Sequence, residues 1–162
     1  MAILPLFAAT VFERGGAAAG FALTAFAFGM AVTLQFSGRL ADSLGRRPLV
    51  AAGLATSGVF TALLGGATSF WPLVLLSAAA GIGAGLMSPA TQATLADIIG
   101  NERSGGTVLS TYQMTQDAGS ILAPVLLGTV AEAAGFQAAF GVCGAVCATT
   151  FIIWLVAGKE TK

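Results

Sequence analysis

Apart from Asp117, the charged residues of this chain fall in a few short stretches, and most of what lies between them is apolar. That spacing limits the fold more than any other feature, because long uncharged apolar runs either cross a bilayer or lie buried in a large core. The composition decides between the two. Of 162 residues, 56% are hydrophobic and only 9% charged, with a mean hydropathy of +0.88. A soluble globular domain carries roughly 25% charged residues. Too little charge is present to clothe a water-facing surface.

The breaks in the pattern give the spans. A hydrocarbon core of about 30 Å needs about 20 helical residues at 1.5 Å each. Residues 1–12 are apolar but too short, and Glu13-Arg14-Gly15-Gly16 ends them. No basic region precedes them, so a secretory signal is a poor reading and a truncated first helix the better one. Further spans are expected at 16–37, 49–66, 73–96, 106–131 and 136–157. They are separated by Arg39-to-Pro48, by Thr68-Ser69 before Trp71 and Pro72, by Asp97-to-Ser104 and by the Glu132–Gln137 turn. An open sheet cannot span lipid, and no ten-residue alternating pattern is present, so all segments read as helix. The expected fold is an all-α polytopic membrane bundle, five full spans and a shortened one.

Charge sets the orientation. Arg39, Arg46, Arg47, Arg103, Lys159 and Lys162 fall on one side under this span count, and Arg14 alone falls on the other. The positive-inside rule makes the first side, and the carboxyl terminus, cytoplasmic. Phe70, Trp71, Tyr112 and Trp154 fall mostly near span ends, as interfacial aromatics do.

The chemistry that is absent narrows the function. Without histidine there is no Ser-His-Asp or Cys-His arrangement, and the commonest metal ligand is missing. Seven basic residues balance seven acidic ones, so nothing attracts nucleic acid. Cys143 and Cys147, four apart in an apolar run, read as small packing residues rather than as a metal pair or a disulfide framework. No enzyme activity, no metal and no cofactor are expected.

After the second segment the chain reads Gly38-Arg39-Leu40-Ala41-Asp42-Ser43-Leu44-Gly45-Arg46-Arg47-Pro48. This resembles the signature loop of the major facilitator superfamily, approximately G-x-L-A-D-x-x-G-R-[KR], and matches it at Gly38, Leu40, Ala41, Asp42, Gly45, Arg46 and Arg47. An ordinary basic loop would not explain the acid and two glycines at these spacings. The resemblance implies a conformational latch, with Gly38, Arg39, Asp42, Gly45, Arg46 and Arg47 as its residues. It also implies twelve spans in two six-helix halves, each half a pair of inverted three-helix repeats. This chain is read as one half. Ser77 stands where the amino-terminal half of efflux members has an arginine. Asp117-Ala118-Gly119-Ser120 through Ala123-Pro124 to Gly128 is similar to a pattern of the eleventh span, D-x-G-x-x-x-G-P-x-x-x-G, with Ala123 departing from it. Both point to the carboxyl-terminal half.

Within the spans, Asp117 is a membrane carboxylate, costly unless it faces a cavity or a partner. Gln113 and Ser120 share its helical face. A solute- or proton-linked site is one reading, and a structural carboxylate bonded to a neighbouring helix is the other. Gln92, with Ser88, Thr91 and the helix-bending Pro89, forms a weaker polar stretch. Gly16 and Gly20, and Gly81 and Gly85, have the small-xxx-small spacing of close helix packing, and Pro124 is read as a packing residue. The resemblance implies alternating-access transport of a small solute, with proton-coupled drug efflux as the efflux-like class, in a bacterial inner membrane. A six-helix amino-terminal half or a second copy is the expected partner. A non-transporting fragment or subunit is the alternative.

Overall fold

The computed structural model describes residues 15–100 and 105–157. The expected short span at 1–12, and Arg14, Arg103, Lys159 and Lys162 of the charge count, lie outside the described residues. Five helices follow in order: α1 (Gly15–Leu44), α2 (Arg46–Leu64), α3 (Phe70–Ile99), α4 (Gly105–Ala134) and α5 (Phe136–Ala157). There is no strand among the described residues, and the chain is an all-α membrane helix bundle. By length and composition α1, α3, α4 and α5 are each able to cross a bilayer. The apolar part of α2 is the shorter run Pro48–Leu64.

Helices outrun the apolar segments at several ends. The stretch 38–48, expected as a loop, is instead almost wholly helical: Gly38 to Leu44 complete α1, and α2 starts at Arg46. The extension is held by packing. Ala41 is buried with Leu49, Val50, Leu54 and Ala90, while Arg39 and Asp42 of the same turns point out. An interfacial helix can continue into water as long as one face keeps such contacts. Pro48 and Pro72 each fall in the first turn of their helix, where the missing N–H has no intrahelical acceptor to serve. Pro89 and Pro124 lie inside α3 and α4, which both run on past them.

One residue, Gly45, separates α1 from α2, and one, Gly135, separates α4 from α5. Both have positive φ, 89° and 84°, and each donates its N–H to a carbonyl four residues back, Gly45 to Ala41 at 3.1 Å and Gly135 to Ala131 at 3.0 Å. Gly45 combines φ 89° with ψ 155°, a region essentially closed to residues with a Cβ. Gly45→Ala is expected to destabilise the bundle by about 1–3 kcal/mol. Dodecyl-sulfate titration of the detergent-solubilised protein measures this, and an unchanged midpoint counts against a strained turn.

Glycine and alanine hold the helices together. α3 is the central helix, packed against α1 on one side and α2 on the other, and α2 in turn packs on α5. Where α1 meets α3, Gly81 lies against the backbone of Phe26 and Gly29 against that of Ala78. A Cβ at Gly85 would stand 2.7 Å from the Met30 carbonyl oxygen. Gly53 and Gly83 bring α2 and α3 equally close, and Gly144 does so for α5 against Ala62 of α2. Such approach replaces the hydrophobic drive that lipid removes, gaining dispersion contacts between backbones. Gly16 and Gly20 are different. Both are exposed, and nothing lies within 4 Å of a Cβ placed on either, so this pair marks no helix contact among the described residues. Pro124 is likewise exposed.

Two clusters mark the two ends of the bundle. Ala18, Ala19, Ala22, Leu64, Leu73 and Phe140 gather the start of α1, the end of α2 and the starts of α3 and α5. Phe70 packs on this cluster and meets Phe21 edge to face at 5.9 Å, with Trp71 exposed beside it. Ala41, Leu49, Val50, Leu54 and Ala90, joined by Phe151 and Trp154, gather the opposite ends. The Gly45 and Gly135 turns therefore stand at opposite ends.

Candidate functional site: a polar cavity and an uncovered polar helix

Side chains from all five helices enclose an open cavity of about 450 Å³ near the Gly45 end. Met30, Val50 and Leu54 form part of its apolar wall. The polar lining comes from Ser88, Thr91 and Gln92 of α3, Tyr112 and Gln116 of α4, and Thr150 of α5. Thr91 and Thr150 spend their hydroxyl protons on their own helices, donating to Met87 at 2.9 Å and Val146 at 2.8 Å. What remains to meet a solute is a phenol, two amides, the Ser88 hydroxyl and an apolar wall. That set suits an amphipathic molecule with a few polar groups.

Of the residues singled out in the sequence, Gln92 lines this cavity and Gln113 and Asp117 do not. Successive helical residues differ by about 100° in direction. Tyr112 and Gln116, four apart, turn one face of α4 to the cavity, and Gln113 and Asp117, each one residue later, lie on the next face round. The sequence reading missed Gln116 and Tyr112. Their signal was available as an amide and a phenol at i, i+4, but the neighbouring carboxylate drew the stripe one position across.

α4 itself is nearly bare. From Gly106 to Leu122 every residue except the half-buried Tyr112 is exposed, and among the described residues its packing comes mainly from the hairpin with α5. There Ala131 and Ala139 are buried, with Leu127, Val130 and Phe136 against them. The hydroxyls of Ser110, Thr111, Thr115 and Ser120 each donate to a carbonyl three or four residues back, at 2.8–2.9 Å. A hydroxyl satisfied in this way can face lipid at small cost. An ionised carboxylate has no proton to give a carbonyl. Asp117, fully in view on α4, is thus the group that lipid cannot accommodate.

The residues of the signature motif lie together at the Gly45 end. Asp42 sits in the last turn of α1, exposed, with exposed Arg39 three residues before it. Arg46 and Arg47 open α2. The backbone therefore brings an acid, the positive end of α2 and three arginines to one corner of the bundle. Ser77, where the resemblance has an arginine in the other half, is fully buried in α3, and its Oγ has no hydrogen-bond partner among the described residues. No group of three or more His, Cys, Asp or Glu residues capable of holding a metal occurs among the described residues.

Comparison with known proteins gives the family. The multidrug resistance protein MdtG of Dickeya zeae is 31% identical over 123 residues, 76% of this chain and 30% of that protein. The MdtG protein of Serratia proteamaculans is 28% identical over 166 residues, covering 99% of this chain and 39% of its own length. The zinc induced facilitator-like 1 protein of Arabidopsis thaliana is 32% identical over 122 residues, 75% of this chain and 25% of that protein. The chain thus spans well under half the length of these relatives. Residues 1–162 match the Major Facilitator Superfamily in full. With four helices long and apolar enough to cross a bilayer and this match from end to end, the chain belongs to the Major Facilitator Superfamily.

Proposed function

We propose that this chain is the carboxyl-terminal six-helix half of a secondary transporter that expels amphipathic solutes by alternating access, driven by proton entry. The observation that carries the reading is the bare polar face of α4. Gln113 and Asp117 need a polar neighbour within the bilayer, and a second six-helix half laid against α4 supplies one. The cavity beside Tyr112, Gln116 and Gln92 then opens towards the space between halves, where members of this family bind solute. The MdtG relatives are named for multidrug resistance, which agrees with the mixed apolar and amide lining. Gly81 and Gly85 serve as packing residues of the half, and Gly38 to Arg47 as its latch. The Gly45 end, rich in arginine, faces the cytoplasm of a bacterial inner membrane together with the carboxyl terminus.

Reconstitution tests this. The purified chain, alone or together with a second six-helix half, is placed in liposomes with an imposed pH gradient, and flux of the lipophilic cation ethidium is followed. Saturable flux is expected from the paired halves and none from the chain alone. Paired halves that fold and insert without saturable flux of any amphipathic probe defeat the transport reading. Saturable flux from the chain alone, lost in Asp117→Asn, replaces the two-half assembly with a dimer of this chain.

A further inference from the structure

α1 and α4 are each 30 residues long, and each ends at a single positive-φ glycine followed at once by the next helix. Aligned at those glycines, Gly38-Arg39-Leu40-Ala41-Asp42-Ser43-Leu44-Gly45 falls on Gly128-Thr129-Val130-Ala131-Glu132-Ala133-Ala134-Gly135. Both glycines, the alanine and an acid recur in place. The structure repeats as well. Ala41 and Ala131 are each 8% exposed, and each accepts the hydrogen bond of its turn glycine. The next helix then buries Leu49 and Val50 in one case and Ala139 and Phe140 in the other, at the same two positions after the turn. The two turns stand at opposite ends of the bundle, as the end clusters show.

The positions that differ are informative. Arg39, Arg46 and Arg47 of the first turn correspond to Thr129, Phe136 and Gln137 of the second. The positive-inside rule accounts for the loss of arginine from the outer end. It gives no reason for the acid to stay, because acidic residues contribute little to topology. Local helix physics gives a reason against it. Asp42 and Glu132 both lie in the last turn of a helix, where the macrodipole disfavours a negative charge. A residue kept against local preference at both turns points to a contact outside its own helix.

We infer that the Gly128–Gly135 turn is a second latch of the transport cycle, with Glu132 as its positioning residue on the face opposite Asp42. This rests on the two-half transport reading above. Glu132 accepts hydrogen bonds from donors of the second half when the halves close on the outer face, and Asp42 does the same on the cytoplasmic face. Each carboxylate then favours the state closed on its own side, and the two variants must move the populations in opposite directions.

The test uses the paired halves with Cys143 and Cys147 replaced by serine and one reporter cysteine introduced by Gln116→Cys at the cavity mouth. A membrane-impermeant maleimide is applied from either side. Asp42→Asn is expected to raise labelling from the cytoplasmic side at least threefold, and Glu132→Gln to raise labelling from the outer side at least threefold. The double variant returns towards the parent ratio, and Glu132→Asp labels as the parent does. A purely structural glutamate would alter both sides alike. If Asp42→Asn shifts the ratio and Glu132→Gln does not, or shifts it the same way, the second latch is refuted while the transport reading stands. If no variant shifts it and the paired halves with native Gln116 carry no flux, both readings fall together.

Discussion

Gly81→Val is expected to leave no folded bundle. A Cβ at this position points onto the Phe26 carbonyl oxygen and crowds the Phe26 Cα as well, and these are backbone atoms that cannot rotate away. α1 and α3 form one of the two most extensive helix contacts, so separating them opens the bundle along its length. Overpacking a core by a methylene or two costs about 1–3 kcal/mol when side chains can yield, and more where only backbone is available to move. The sum of small approaches at Gly29, Gly81 and Gly85 is what lipid-embedded helices have in place of a hydrophobic core. Gly20→Ala, on the same α1 but with nothing within 4 Å of its Cβ among the described residues, is expected to be neutral or stabilising by up to about 1 kcal/mol through helix propensity. Resistance to dodecyl-sulfate unfolding and recovery from size exclusion read both. Equal behaviour of the two variants would mean that the α1–α3 crossing is not the seam that holds the protein.

The second large effect concerns Asp117. In the paired halves, Asp117→Asn is expected to lower efflux driven by a pH gradient at least tenfold, about 1.4 kcal/mol or more in the rate-limiting step. Exchange of labelled for unlabelled solute, which needs no net proton movement, is expected to persist. The distinction follows from the chemistry of the side chain. Asparagine keeps the size and hydrogen-bonding reach of aspartate but cannot take up and release a proton. A carboxylate that only braces a neighbouring helix would tolerate the change in both assays or lose both through misassembly. One that carries the coupling proton loses the first and keeps the second. Unimpaired pH-driven efflux in the variant removes Asp117 from the coupling path and leaves the bracing role.

Particular elements show how far the sequence reaches. Charge-free stretches and turn residues were enough to place α3 and α5 within three residues at either end, because a bilayer turns apolar length directly into helix length. The family motif was legible for a different reason: an acid and two glycines at fixed spacing. Its conformation was not. The motif reads as a loop because its charges break the apolar pattern, yet Ala41 packing on Leu49 and Ala90 keeps it helical up to Gly45. The repeat at Gly128–Gly135 was also present in the sequence as G-x-[LV]-A-[DE]-x-x-G. It became noticeable once two turns with the same geometry stood at opposite ends.

What the sequence determined by itself was the class of fold, the run of helices and the family, since these follow from hydropathy, helix length and a local motif. Tertiary structure decided which small residues matter and which polar ones meet. Gly81, Gly85 and the pair Gly16 and Gly20 share one spacing, and among the described residues the first two lie against another helix while the second two do not, because the partner's position is a property of the bundle and not of the segment. Gln116 rather than Asp117 reaches the cavity for the same reason. One residue is about 100° of helix, and the direction of the neighbouring helix selects which side of that angle is inside.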